Sequence, residues 1–372
     1  MEDKGRYCPA IEVMINDSYN SSQINYLFVS IHGILSVFGI LENALIVWVI
    51  GFRVRRSVVS IWILNLAASD LLATVSLPFF TVFMAQGQTW PLGRVFCKIH
   101  SSIFFLNMYV SGFLLSAVSL DRCILVVYPA WSQNHRNVQL ASRVCFIIWA
   151  LAIINIIPFF IFRDTINRRD GRIMCYYNYI LYSSPDDDLD FLCRLRHVML
   201  AFIKFIISFF IPLLVIICSY TIVSLNIKKR GRKPTSRFFR LIVCVIISFV
   251  LFWLPYHIFS ILESFLSYNS KLYKVVERIL QLVSTLTFMN CIINPFLYVF
   301  SCPDFTAKIR QSLSTVMETV LMDETEIYQR RSTTHSSISS SDVFTRSYKF
   351  HWKKSRNSGK FKQGGEELPV VF

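Results

Sequence analysis

The chain has 372 residues, of which 54% are hydrophobic and only 16% are charged. An ordinary globular protein carries roughly 25% charged residues, and a chain with so few cannot cover its surface in water. The composition excludes a disordered, collagen-like or coiled-coil protein and indicates an integral membrane protein. We interpret the formal net charge of +15 as basic residues facing anionic membrane lipid, and we expect no nucleic-acid partner.

Seven apolar blocks follow one another along the chain, each about as long as a helix that crosses the roughly 30 Å hydrocarbon core of a bilayer. The sequence therefore predicts an all-α membrane protein, a seven-transmembrane helix bundle over residues 26–302. Residues 1–25 are polar and lack the features of a cleaved signal peptide, so we expect an extracellular N-terminus and an uncleaved first span. The blocks cover residues 26–51, 61–86, 98–127, 143–162, 198–226, 238–266 and 277–300.

The positions of the basic residues predict the orientation, because Lys and Arg beside membrane spans stay in the cytoplasm. Basic residues follow the first block at 53–56, and a denser basic run lies between the fifth and sixth blocks at 228–240. We therefore expect a multi-pass plasma-membrane protein with its N-terminus outside and its C-terminus inside. Asn-X-Ser sequons begin at Asn16 and Asn20 on the outer side, which makes both asparagines candidate glycosylation sites.

The segment after the last block is expected to have two parts. Residues 303–321 carry an apolar stripe at helical spacing and predict a short amphipathic helix at the inner membrane surface. Residues 322–372 predict a disordered cytoplasmic tail, with a hydroxyl-rich stretch at 332–341 that is a candidate for phosphorylation. The terminal Val370-Val371-Phe372 can enter the peptide-binding groove of a partner domain and add a strand to its sheet.

The ten cysteines divide by compartment, since only those facing the oxidising outside are expected to pair. Cys8, Cys97, Cys175 and Cys193 are predicted to lie outside, and four cysteines allow three pairings. We favour Cys97 with Cys175, a bond that would draw the loop between the fourth and fifth blocks across the helix ends. Cys8 with Cys193 is then a second, hypothetical bond, and free thiols are the alternative. The other six are interpreted as packing residues: Cys123, Cys145, Cys218, Cys244, Cys291 and Cys302.

Ionisable residues inside the apolar blocks are candidates for function, because their burial in a membrane is costly. Asp70 lies in the middle of the second block, where helical spacing allows it to face polar residues of other blocks. Such a cluster can hold a sodium ion, whose charge would keep the carboxylate ionised; a neutral, hydrogen-bonded Asp70 is the alternative. The ionisable residues are Asp70, Asp121, Arg122, Lys204, His257 and Glu263, and the polar residues facing Asp70 are Asn43, Asn107, Ser111, Asn290 and Asn294.

Lys204 is the candidate centre of a ligand site. It lies about six residues into the fifth block, or about 9 Å below its start at about 1.5 Å per residue. Arg163 leaves the fourth block on the same side, and Tyr256 and His257 follow Trp253 by about one turn. Two cations and tyrosine hydroxyls above a Phe-rich pocket suit an amphiphilic anion. The alternative is a lysine that extends its ammonium to the membrane surface.

Successive blocks carry the motifs Asn43, Leu66–Asp70, Asp121-Arg122-Cys123, Trp149, Pro212, Phe252–Pro255 and Asn294–Tyr298. In this order they resemble the motifs of the rhodopsin-like G-protein-coupled receptors. The resemblance implies an activation switch formed by Asp121, Arg122, Trp253, Pro295 and Tyr298, with Arg122 paired to Asp121 at rest. It also implies arrestin and receptor kinases as partners of the tail. Cys123 departs from the tyrosine that most of the family has.

Residues 96–116, 162–166 and 170–178 are similar to the prostaglandin D2-binding members of the chemoattractant branch, which also holds the formyl-peptide and complement-anaphylatoxin receptors. This resemblance implies a lipid carboxylic acid ligand, prostaglandin D2 or a related eicosanoid, and an inhibitory heterotrimeric G protein that acts in chemotaxis or inflammation. Glu277 departs from the branch, where a tryptophan lines the pocket. The implied ligand-binding residues are Arg163, Tyr177, Lys204 and Tyr256 at the carboxylate, and Phe80, Phe104 and His100 elsewhere in the pocket.

Other functions have less support in the sequence. An enzyme is disfavoured because HExxH and GxSxG motifs are absent and the seven histidines are scattered. An opsin would need a lysine deep in the seventh block, and residues 283–300 contain none. A transporter would show repeated halves and broken helices. The closer alternative is a chemoattractant receptor for a basic peptide, which the acidic run at 186–190 would attract.

Overall fold

A computed structural model describes residues 7–16, 26–183, 188–231, 236–268 and 270–301. Seven helices in this part of the chain are long and apolar enough to cross a membrane. They confirm the predicted seven-transmembrane bundle and are numbered here as spans 1 to 7. The spans are Tyr26–Arg53, Val58–Ala85, Gly93–Val127, Val138–Phe162, Leu189–Lys229, Ile246–Phe265 and Lys271–Phe296.

The α-helices of spans 6 and 7 extend beyond their membrane-length segments, and spans 1 and 5 each contain a π turn. A short N-terminal helix, a helix between spans 3 and 4, and a β-hairpin between spans 4 and 5 complete the described elements. The extended helices are Ser236–Phe265 and Lys271–Ser301, the π turns Val49–Arg53 and Ile206–Phe210, the short helices Pro9–Asn16 and Pro129–His135, and the strands β1 (Arg163–Asn167) and β2 (Ile173–Tyr177).

The largest difference from the sequence prediction is the start of span 5, at Leu189 and not at residue 198. Its first turns carry Arg194, Arg196 and His197, so hydropathy alone does not detect them. Asp188 caps these turns, since its side chain accepts from the N–H of Phe191 at 3.2 Å. Arg196 Nη1 donates to the backbone oxygen of Tyr179 at 2.6 Å, which packs the extension against the loop before it. Span 5 is therefore longer than its apolar block.

The bundle places polar groups inside and apolar side chains on its outer surface. Asn43, Asp70 and Ser111 are 0% exposed, whereas Phe38 and Phe146 are 63% and 75% exposed. This distribution is expected where the solvent is lipid, because polar groups then find partners only between helices. Asp70 and Lys204, the two ionisable candidates in the middle of their spans, lie in this interior.

The β-hairpin crosses one end of the bundle, which we call the hairpin end. Strands β1 and β2 are antiparallel, with Thr165 opposite Cys175. Cys175 forms a disulfide with Cys97 in the first turns of span 3. At the hairpin turn, hydrogen bonds from Arg172 hold the pKa of Asp170 below its ordinary value. The turn therefore keeps this ion pair at neutral and mildly acidic pH and loses it only as the pH falls through the lowered pKa.

The N-terminal helix is tied to the hairpin end by the second pairing that the sequence suggested. Cys8 forms a disulfide with Cys193 in span 5. Ile11 is fully buried and lies in one apolar cluster with Ile166 of β1 and Tyr179. The helix Pro9–Asn16 thus packs against the hairpin.

Several sequence predictions fall outside the described residues: Asn20, Cys302, and the segments 303–321 and 322–372. Asn16 is described; it is exposed at the end of the N-terminal helix, and its Nδ2 donates to the backbone oxygen of Glu12. The interpretation of the free cysteines as packing residues is wrong for Cys218 and Cys244. Both side chains are exposed on the apolar surface of the bundle, whereas Cys123, Cys145 and Cys291 are buried.

Candidate functional site

Lys204 lies inside the bundle and does not extend to the membrane surface. Because span 5 begins at Leu189, Lys204 is about 22 Å from the start of the helix at about 1.5 Å per residue, whereas the apolar block alone predicted about 9 Å. The residue is only 5% exposed. Its Nζ donates to Ser260 Oγ at 2.7 Å and to Tyr256 OH at 3.1 Å, both on span 6. The ammonium is therefore held at a fixed position by two hydroxyl groups.

Three aromatic rings surround the same ammonium. The distances from Nζ to the ring centroids are 4.8 Å for Tyr256, 5.3 Å for Phe105 and 5.9 Å for Phe159. Each ring presents its electron-rich face to the cation. In the described part of the chain, no carboxylate oxygen lies within 4.0 Å of Nζ. Glu263, about one turn beyond Ser260 on span 6, acts on Lys204 electrostatically but forms no ion pair with it. A cation lined by hydroxyl groups and aromatic rings, with no carboxylate in direct contact among the described residues, can accept an anion.

Arg163 and Tyr177 lie above this centre, toward the hairpin end. They face each other across the two strands, with the Arg163 guanidinium 4.5 Å from the Tyr177 ring centroid. Tyr177 OH is 3.1 Å from Ser101 Oγ, and its ring contacts Phe105 at a centroid distance of 6.4 Å. Burial raises the pKa of Tyr177, so the phenol stays neutral and keeps a proton to donate. The structure thus brings together the four residues expected at a ligand carboxylate.

Glu263 lies at the centre of a second polar group. The sequence analysis identified this residue as ionisable but did not identify its partners. Tyr176 OH donates to Glu263 Oε1 at 2.9 Å, and His197 Nε2 lies 3.8 Å from Oε2. Burial, and then the negative charge of Glu263, raise the pKa of Tyr176 well above its ordinary value, which keeps the phenol a donor. Tyr176 belongs to β2, so this contact depends on the hairpin and has no local sequence signal.

The remaining predicted pocket residues divide between two aromatic groups. Phe104 joins the Lys204 centre, since its ring lies 5.4 Å from that of Tyr256 and 6.5 Å from that of Trp253. Phe80 and His100 stack at 6.0 Å in a group that also contains His32, whose ring is 5.2 Å from Phe80. The sequence did not single out His32. Phe104 therefore connects Tyr256 of the Lys204 centre with Trp253.

Asp70 lies at the centre of a buried polar cluster, although not with every predicted neighbour. Its Oδ1 accepts from Asn107 at 2.9 Å and its Oδ2 from Asn294 at 2.8 Å. Asn43 instead donates to the backbone oxygen of Cys291 at 3.1 Å. The Oδ1 atom of Asn43, Ser111 Oγ and the amide group of Asn290 are buried without a partner among the described residues. These oxygen atoms fit a hard cation such as sodium or ordered water.

The prediction that Arg122 pairs with Asp121 is wrong in this structure. Arg136, just before span 4, donates from Nε and Nη2 to the two carboxylate oxygens of Asp121 at 2.8 and 2.9 Å. The Arg136 guanidinium thus makes the parallel two-point contact that is typical of arginine and a carboxylate. Arg122, which is next to Asp121 on the same helix, is poorly placed to make such a contact. Trp253 is 2% exposed, and Pro295 lies inside the helix of span 7. Tyr298 belongs to that helix, but its side chain is outside the described part.

Comparison with known proteins agrees with this architecture. A family model described as "7 transmembrane receptor (rhodopsin family)" matches residues 42–298. The chain belongs to this family. Prostaglandin D2 receptor 2 of Mus musculus is 50% identical over 323 residues, covering 86% of this chain and 84% of the relative. The same receptor of Rattus norvegicus is 50% identical over 324 residues, covering 86% and 80%. N-formyl peptide receptor 2 of Homo sapiens is 35% identical over 301 residues, covering 78% and 84%.

Both resemblances inferred from the sequence motifs are therefore confirmed. The protein is a multi-pass plasma-membrane receptor of the rhodopsin family, as the seven spans and the family match together show.

Proposed function

We propose that this receptor binds prostaglandin D2, or a closely related lipid carboxylic acid, with the ligand carboxylate at Lys204. The observation that carries the proposal is a buried ammonium held by hydroxyl groups and aromatic rings, with no carboxylate within 4.0 Å among the described residues. The similarity to receptors named for prostaglandin D2 supports the same ligand.

The site offers separate environments for the two ends of such a ligand. The carboxylate accepts charge-assisted hydrogen bonds from Lys204, with Arg163 and Tyr177 on the hairpin side. The apolar chain lies against Phe104 and the rings beyond it. Binding changes the receptor only through a difference in affinity between its inactive and active arrangements. Trp253 is the residue through which a bound ligand would affect this equilibrium, because its ring contacts Phe104 on the ligand side.

The active arrangement is expected to open the cytoplasmic face to an inhibitory G protein and to direct chemotaxis. Proline residues inside helices remove a backbone hydrogen bond and permit a kink. Pro255 in span 6 and Pro295 in span 7 supply such points below the ligand site. Movement at these prolines connects the Trp253 level with the end that carries Asp121 and Arg122.

Arg122→Ala is expected to keep ligand affinity within about threefold of the wild-type value, because the residue lies about 25 Å along span 3 from Phe105, whose ring contacts Lys204. The same variant is expected to lose nucleotide exchange on an inhibitory G protein. Parallel measurement of ligand binding and exchange in one membrane preparation checks both expectations. Normal exchange by this variant would show that the switch does not depend on Arg122.

The Asp70 cluster is proposed to bind sodium, which would act as an allosteric modulator. Asp70 supplies the charge, and the unpartnered oxygens of Asn43 and Ser111 supply further ligands. Asp70→Asn keeps the shape of the side chain and removes its charge. We expect agonist affinity to depend on sodium concentration in the wild type and to become independent of it in this variant. Potassium at the same ionic strength is the control, and an unchanged sodium effect would exclude Asp70 as the ion's ligand.

Nucleotide exchange on purified G proteins tests the proposed function as a whole. The receptor is reconstituted with an inhibitory or a stimulatory G protein and challenged with prostaglandin D2 or a formylated peptide. Exchange on the inhibitory protein in response to prostaglandin D2 is the expected result. A response to the peptide alone would favour the alternative of a peptide chemoattractant receptor. The similarity to N-formyl peptide receptor 2 is the observation that supports this alternative.

A further inference from the structure

Span 5 is interrupted immediately after Lys204. The α-helix Leu189–Phe205 is followed by the π turn Ile206–Phe210, in which the N–H of Ile211 bonds to the oxygen of Ile206 five residues earlier. A π turn accommodates one residue more than an α turn. Since each α-helical residue advances by about 100°, the turn rotates Lys204 by about that angle relative to the rest of the span. The π turn therefore determines the direction in which Lys204 faces.

The sequence explains why the turn forms at this place. Pro212 has no N–H, and in a regular α-helix its ring would collide with the carbonyl group of Ser208, four residues earlier. The Ser208 side chain compensates locally, because its Oγ donates to the backbone oxygen of Lys204 at 2.7 Å. The same Oγ lies 3.3 Å from Nε2 of His257 on span 6. Ser208 thus connects the turn both to Lys204 and to the neighbouring span.

Gly112 on span 3 faces this turn at close range. A β-carbon on Gly112 would lie 2.7 Å from the backbone oxygen of Ser208 and 3.4 Å from Cγ of Pro212. A backbone oxygen cannot rotate away, so even an alanine would displace the turn. Ser116, one turn along span 3, donates to the oxygen of Gly112 at 2.9 Å and reaches the oxygen of Pro212 at 3.4 Å. Spans 3 and 5 are therefore held at a separation that only glycine allows.

We propose that Gly112 is a positioning residue for the ligand carboxylate. The absence of its side chain lets the π turn approach span 3, and the turn directs the Lys204 ammonium between Ser260 and the aromatic rings. Gly112 acts through Lys204 and does not touch the ligand. The inference rests on the proposed function, because it assigns Gly112 a part in recognising an acid.

The test compares three glycine-to-alanine variants for surface expression and for affinity toward prostaglandin D2 and its methyl ester. Gly112→Ala is expected to weaken the acid by about tenfold and the ester by less than about threefold. Gly33→Ala is the control without a clash, since nothing lies within 4 Å of the added carbon, and both affinities should stay at the wild-type value. Gly39→Ala is the control for a clash away from Lys204, because its added carbon meets the Thr74 side chain. This variant should change the affinities for acid and ester by the same factor.

A second comparison separates positioning from general packing. In a Lys204→Ala background, Gly112→Ala should cause no further loss that is specific to the acid. Ser208→Ala adds no volume and breaks the bond to the Lys204 carbonyl, so an acid-specific loss of about threefold is expected even if Gly112→Ala fails to reach the membrane.

Equal losses of acid and ester in these variants, or an acid-specific loss that persists without Lys204, would overturn the positioning role. Equal losses of acid and ester in Lys204→Ala alone would overturn the proposed function, and the role of Gly112 with it.

Discussion

Lys204→Ala is expected to weaken the binding of prostaglandin D2 by about tenfold to over a hundredfold. A hydrogen bond to a charged group is worth about 1.5 to 3 kcal/mol, and about 1.4 kcal/mol corresponds to a factor of ten in affinity. The variant leaves Ser260 and Tyr256 in place but removes one of the two cations of the site, so that of the two only Arg163 remains for the carboxylate. Competition binding on membranes that contain equal amounts of receptor measures the change.

Lys204→Arg is the matched variant, because it keeps the positive charge. We expect it to lose less affinity than Lys204→Ala but to remain below the wild type, since a planar guanidinium is wider than an ammonium and meets the rings of Phe105 and Phe159. Arg163→Ala is expected to share the direction of the effect. A Lys204→Arg variant that binds as poorly as Lys204→Ala would show that the fit of the side chain, and not its charge, limits binding.

Cys97→Ala and Cys175→Ala are each expected to abolish ligand binding or surface expression. The disulfide joins span 3 to β2, and β2 carries Tyr176 and Tyr177. Loss of a structural disulfide typically costs about 2 to 5 kcal/mol, which is a large part of the stability of most folded proteins. Flow cytometry for surface receptor, combined with radioligand binding, checks the result.

Cys145→Ala is the control for this prediction, because Cys145 is a buried thiol outside any disulfide. The control should keep expression and binding near the wild-type values. Wild-type binding by both disulfide variants would show that the hairpin keeps its position without the bond. Cys8→Ala is expected to have a smaller effect, since that disulfide holds the N-terminal helix and not the hairpin itself, against which the helix packs.

The seven spans were predictable because membrane insertion depends on one property, a sufficient length of apolar sequence. Their ends were less predictable. Span 5 begins with polar turns, which Asp188 caps by accepting from the N–H of Phe191 and which Arg196 holds against the preceding loop through the Tyr179 backbone. The hairpin also escaped prediction, because its strands of five residues each are fixed by a disulfide and not by an alternating apolar pattern.

The same distinction applies to the candidate site. Lys204 and Asp70 stood out from the sequence because a charge within an apolar block is rare. Part of their surroundings was predicted as well, since Asn107 and Asn294 bond to Asp70 and Tyr256 bonds to Lys204. The partners of Glu263 and Asp121 were not, because Tyr176 reaches Glu263 across 87 positions of sequence and Arg136 replaces Arg122 at Asp121. The π turn after Lys204 requires both Pro212 in its own helix and Gly112 on another span. A pattern within one block cannot reveal such a contact.

The role of Lys204 is tested most directly by measuring the affinities of prostaglandin D2 and its methyl ester for the wild type and for Lys204→Ala. The ester removes the negative charge and leaves the apolar chain almost unchanged. We predict that the wild type prefers the acid by at least about tenfold, and that Lys204→Ala weakens the acid much more than the ester, which gives a coupling energy in a double-mutant cycle. Equal losses for acid and ester would mean that Lys204 acts through packing or folding, and would contradict a site for an anionic lipid.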